Sequence, residues 1–140
     1  MYERTLLDLE ECMAAVDRML AAAETQSNGP MALAIVDQYG DLLALACMDG
    51  CTPFVRDYAT KKAYTAARMG ADLRDFAARL KEQNRPVREY ADPNLVAAAR
   101  GGLVVRSAAG VVVGGVGVSG GTPDQDEDVA RLGLQQLAER

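Results

Sequence analysis

The chain has 140 residues, 49% of them apolar and 25% charged, which suits one soluble globular domain over residues 1–140 and leaves no room for a second core. A net charge of -5 with scattered lysines and arginines argues against a nucleic-acid partner, because phosphate neutralisation needs a basic face. Histidine is absent, and with it go imidazole bases, Ser-His triads, most zinc sites and the commonest haem ligand.

The N-terminus, MYERTLLDLEE, is too acidic for a secretory signal, and no apolar run is long enough to span a bilayer. A cytoplasmic protein without membrane contact is expected, its three cysteines reduced. Residues 5–23 place Leu6, Leu9, Met13, Val16, Leu20 and Ala23 three and four apart, the stripe of an amphipathic helix. Residues 27–30 break it. Residues 31–36 and 42–46 are apolar runs around a loop holding Gly40, which predicts a hairpin. Both runs are nearly continuous in apolar character, so one of the strands is expected to be central and covered on both faces.

Thr52 before Pro53 reads as an N-cap with proline at the first helical position, opening a helix to about residue 67. A second helix spans residues 72–83, with Leu73, Phe76, Ala77 and Leu80 on one face. Asp92-Pro93 repeats the cap-plus-proline signal for a short helix closed by Gly101-Gly102. Residues 103–106 and 111–118 form a second hairpin. The last helix opens on a capping box, Thr122 to Gln125, and continues through Leu132, Leu134 and Leu137. Strands in hairpins, not alternating with helices, predict an α+β domain with helices packed on an antiparallel sheet.

Three features carry chemistry. Gly115-Val116-Gly117-Val118-Ser119-Gly120 satisfies G-x-G-x-x-G, but a dinucleotide fold needs a further strand and an acid about 20 residues on. The chain ends with the helix instead, so no NAD site is expected. The glycines let backbone approach a ligand, or else they serve strand–helix packing. Asp124, Asp126, Glu127 and Asp128 crowd the following helix start, where they complement its dipole.

Lys62 lies on the apolar stripe of Val55, Tyr58, Ala59, Ala63 and Ala66. A lysine there must snorkel, pair with a carboxylate or serve a ligand, and Asp49 is its expected partner. Cys47 and Cys51 are spaced C-x3-C, but with Cys12 distant and no histidine they fall short of the four ligands of a closed zinc site. No metal site is assigned.

Taken together, MALAIVDQYGDLLALACMDG, DYATKKAYTAA and GGLVVRSAAGVVVGGVGVSGGTPDQDEDVA resemble the GlcG/HbpS-like family, whose haem-binding-protein-like domain also closes PduO proteins. The resemblance covers nearly the whole chain. It implies a profilin-like antiparallel sheet of about five strands with helices packed on it, and a homo-oligomer. Lys62 matches the family's helical lysine and Asp49 the acid of its "MDG" turn, while Gly114, Gly115, Gly117, Ser119, Gly120, Asp126 and Glu127 match its closing motif. Cys47 and Val104 depart from it, where the family carries a basic residue and a proline.

Three readings follow. The first is a binding protein for a small organic ligand, haem or a corrinoid among the candidates, held without a histidine ligand. Its contacts would include Met48, Tyr58, Gly114, Gly115, Gly117, Ser119 and Gly120. The second is a cofactor-independent lyase or isomerase acting on a small carboxylated substrate, with Lys62 and Asp49 or Glu127 as acid–base groups. The third is an assembly subunit without catalysis, whose glycine loop packs against a neighbour.

Overall fold

A computed structural model describes residues 1–26 and 29–138. Residues 27 and 28 of the expected break lie outside the described residues. The element order is α1 (Leu9–Gln26), β1 (Ala32–Asp37), β2 (Leu42–Cys47), α2 (Pro53–Met69), α3 (Leu73–Glu82), a 3-10 turn (Val87–Tyr90), β3 (Gly102–Arg106), β4 (Val112–Ser119) and α4 (Pro123–Ala138). The fold is α+β, as expected. Its antiparallel sheet has four strands among the described residues, ordered β2-β1-β4-β3. The expectation of about five fails because Val112–Ser119 runs as one strand straight through its glycines.

The central strand is β1, buried at all but its last residue, while β2 is an edge strand with Leu42, Leu43 and Leu45 exposed. The period-2 alternation of strands separates two packing layers. On one face Leu33, Ile35, Leu103, Val105, Val116 and Val118 meet Cys12, Ala15 and Met19 of α1 and Val129 and Ala130 of α4. On the other, Ala32, Ala34 and Val36 meet Ala59, Ala63 and Ala67 of α2. The second layer is built from small side chains, and β4 completes it with glycines. A Cβ at Gly115 would collide with the backbone carbonyl of Ala63, and one at Gly117 with that of Ala59. Close approach of helix to strand is what those two positions need glycine for.

Thr52 caps α2 as expected, accepting from the Val55 N–H at 3.3 Å, and Gly70 closes the helix at φ +62°. The Thr122 box forms in both directions, Gln125 N–H to Thr122 Oγ1 at 3.2 Å and Thr122 N–H to Gln125 Oε1 at 3.0 Å. Two further expectations need correction. Helix α1 begins at Leu9, because Asp8 and Glu11 make a reciprocal cap: Glu11 N–H donates to Asp8 Oδ1 at 2.8 Å, and Asp8 N–H to Glu11 Oε2 at 3.0 Å. No helix starts at Asp92. Its carboxylate accepts from the Tyr64 hydroxyl at 2.6 Å and from Asn94 N–H at 3.0 Å, which folds the segment into a turn against α2. No helix among the described residues is long and apolar enough to cross a membrane.

Candidate functional site

Where the first turns of α2 and α4 meet the end of β4, they enclose a cavity of about 480 Å³, within the usual range for small-molecule sites. One wall is aromatic: Phe54 and Tyr58, one helical turn apart on α2, stack with centroids 5.3 Å apart. Phe54 is largely exposed at the mouth. Ser119, Gly120, Gly121 and Pro123 form the opposite side, and Ala98, Ala99 and Arg100 border it from the loop before β3.

The floor is a buried ion pair. Lys62 and Asp126 are 4% and 5% exposed, and Lys62 Nζ lies 3.1 Å from Asp126 Oδ2. The same ammonium donates to the Val118 carbonyl at 2.8 Å and sits 5.3 Å from the Tyr58 ring centroid, a cation–π distance. Asp126 uses its other oxygen to accept from Gly121 N–H at 2.8 Å. Burial pushes the Lys62 pKa below the ordinary lysine value, and Asp126, then Glu127, offset part of that. Gly101, at φ +87°, passes directly over the pair, and a Cβ there would lie 2.8 Å from Lys62 Nζ.

Glu127 sits behind the cavity, not in its lining. Its carboxylate is 3.0 Å from Arg74, 3.5 Å from Arg131 and 3.9 Å from Arg100, and it accepts from Gly101 N–H at 3.3 Å. It therefore holds the Arg100–Gly101 backbone and helps orient Arg100, whose guanidinium reaches the rim 3.5 Å from the exposed Asp124.

The structure thus brings together Lys62, Tyr58, Ser119 and Gly120 of the residues singled out from sequence. Asp49 and Met48 lie elsewhere, lining a separate depression with Leu20, Glu24 and Cys47. The partner of Lys62 is Asp126, not Asp49. Gly115 and Gly117 face α2, and Gly114 faces Val36 and Leu7. Sequence reasoning did not single out Phe54, Arg100 or the Lys62–Asp126 pairing. An i, i+4 aromatic pair beginning just after Pro53 was a readable signal for Phe54. The pairing spans 64 residues, and no local period reports it.

A family model described as "Haem degrading protein HbpS-like" matches residues 7–135. The chain belongs to the HbpS-like family. This HbpS-like chain is 32% identical over 135 residues to an uncharacterised 15.0 kDa protein of the dhaT–dhaS intergenic region in Citrobacter freundii, covering 91% of this chain and 92% of that one. A crystal structure of a double mutant of Streptomyces reticuli HbpS is similar at TM-score 0.84 and 32% identity, over 99% of this chain and 91% of that one. A PduOC:heme complex shares the fold at TM-score 0.83 and 21% identity, over 94% of this chain and 95% of that one.

Proposed function

We propose that this protein binds a planar, carboxylated organic ligand, haem foremost, in the cavity between α2 and α4. The observation that carries this reading is the cavity itself: a stacked aromatic wall, a water-poor floor fixed by Lys62–Asp126, and one cationic side chain, Arg100, at the rim. Apolar walls with a few placed polar groups are the usual build of such sites, and a guanidinium is suited to a carboxylate. The family description, which speaks of haem degradation, supports the same choice.

The residues present fit haem. Phe54 would pack against the macrocycle, Tyr58 would turn its hydroxyl edge toward it, and Arg100 would meet a propionate. With no imidazole in the chain and no cysteine or methionine among the lining residues, the Tyr58 hydroxyl is the oxygen donor that would serve the iron, a ligand type haem proteins use. Bound haem would supply redox-active iron, and the chain would orient it and exclude water. An acid–base role for Lys62 gains nothing from the geometry, because Asp126 and the Val118 carbonyl already engage its ammonium. Assembly into a homo-oligomer in the cytoplasm belongs to the same reading. It is supported by the exposed leucines of edge strand β2, an edge that proteins ordinarily cover, and light scattering checks it.

Haem titration followed by visible absorption tests the proposal. A saturable Soret change is expected, with Arg100→Ala weakening binding about tenfold, the scale of one charge-assisted hydrogen bond. Tyr58→Phe should alter the spectrum of the complex while haem still binds. A visible spectrum unchanged at saturating haem, or equal affinity in Arg100→Ala and Phe54→Ala, would overturn it.

A further inference from the structure

The β2–α2 connection places two cysteines on either side of one tight turn, away from the residues that line the cavity described above. Cys47 ends β2 and Cys51 precedes the α2 N-cap, with Met48-Asp49-Gly50 between them. Cys51 N–H donates to the Met48 carbonyl at 3.0 Å, and Gly50 takes φ +85°. That combination is a tight turn with a left-handed third residue, and it folds the chain back so that the two cysteines flank it. Cys47 stands opposite Ala32 in the β1–β2 register, and Cys51 packs against the small-residue layer to which Ala32 belongs, so both cysteines lie on the α2 side of the sheet. The Cys51 thiol donates to the Thr52 carbonyl at 3.7 Å. Cys47 is exposed, Cys51 is half-buried, and Cys12, on the core face of α1, is fully buried.

We infer that Cys47 and Cys51 are a reversible dithiol–disulfide site, oxidised within the chain by peroxide. The Cys47 thiolate attacks one peroxide oxygen, the O–O bond breaks, and hydroxide leaves to be protonated to water, giving a sulfenic acid at Cys47. The Cys51 thiolate then attacks the Cys47 sulfur. The S–S bond forms, the S–O bond breaks, and a second water leaves. The two thiols give up two protons and two electrons, and the peroxide is reduced to two waters. A thiol reductant runs the cycle back by exchange.

Exposure favours Cys47 as the attacking sulfur. Burial and the neighbouring Cys47 push the Cys51 thiol upward, which suits the resolving role. Cys12 serves as an internal control, since burial, with help from Glu11 and Asp8, pushes it up to about 11. Once formed, the disulfide fastens the first turn of α2 to the end of β2.

The full-length chain is treated with a few equivalents of hydrogen peroxide, denatured, alkylated and weighed intact. The expected product has lost two hydrogens and takes up one alkyl group, and peptide mapping joins Cys47 to Cys51. Dithiothreitol restores alkylation of all three cysteines. In Cys51→Ser, which removes only a half-buried sulfur, dimedone captures a sulfenic acid at Cys47. Three alkylatable thiols after peroxide, a sulfinic acid at Cys47 beside a free Cys51, or disulfides only between chains would each overturn the inference. Equal dimedone labelling of Cys51 in Cys47→Ser would overturn the assigned order.

Discussion

Replacing Asp126 with alanine leaves the Lys62 ammonium buried with the Val118 carbonyl and the Tyr58 ring, but without its carboxylate. Both charges are at most 5% exposed, so water cannot readily take over. Removing one partner of such a pair costs about 3–5 kcal/mol. At this chain length that corresponds to a fall in Tm of roughly 10–20 °C. Asp126→Asn keeps an acceptor for the Gly121 N–H and should fall between wild type and Asp126→Ala. The double variant Lys62→Met with Asp126→Leu removes both charges and should recover most of the loss, since apolar replacements of buried pairs are often neutral. Urea unfolding, with the slope m compared among variants, reads all three. A loss below about 1 kcal/mol for Asp126→Ala at unchanged m would mean that the pair behaves as an exposed one, and the reasoning would fail.

The same lysine gives stability a pH dependence. Burial lowers its folded-state pKa below the ordinary lysine value of 10.5, so between the two values the unfolded chain holds more protons. Stability should therefore rise as pH climbs toward 10.5, and the rise should be absent in Lys62→Met when denaturant midpoints are compared across pH. Gly117→Ala drives a methyl into the Ala59 carbonyl and should cost about 3 kcal/mol or prevent folding, whereas Gly29→Ala, which meets open space, should leave the thermal midpoint nearly unchanged. Asp8→Ala removes one side of the α1 cap and should cost about 1 kcal/mol, with increased amide exchange at Glu10 and Glu11.

Most of the fold was legible because its signals are local. The Thr52-Pro53 and Thr122 caps, the Gly40 hairpin and the buried run of β1 each follow from a few adjacent residues. The start of α1 was misplaced because Leu6 continues the apolar period past the point where the Asp8–Glu11 cap cuts the helix off. At Asp92 a correct N-cap residue is drawn away by Tyr64, which belongs to a different element. The site was half legible. Lys62 stood out as a charge on an apolar stripe, yet its carboxylate belongs to α4 and is reached only once β4 has packed under α2. The glycines of β4 stand out in the sequence by their number, but whether each faces ligand or helix depends on the pleat, and the pleat turns Gly115 and Gly117 toward α2.

Those same glycines bear on how this protein can change over generations. The depth of α2 on the sheet is set by backbone against backbone, at Gly102 under the Lys62 carbonyl and at Gly115 and Gly117 under Ala63 and Ala59. Phe54, Ala98 and Ala99, by contrast, line the cavity without supporting that contact. A lineage could exchange these three and acquire a new ligand while the helix stays at the same depth on the strand. The scaffold is intolerant where it carries no side chain at all, and permissive around the rim where ligand choice is made.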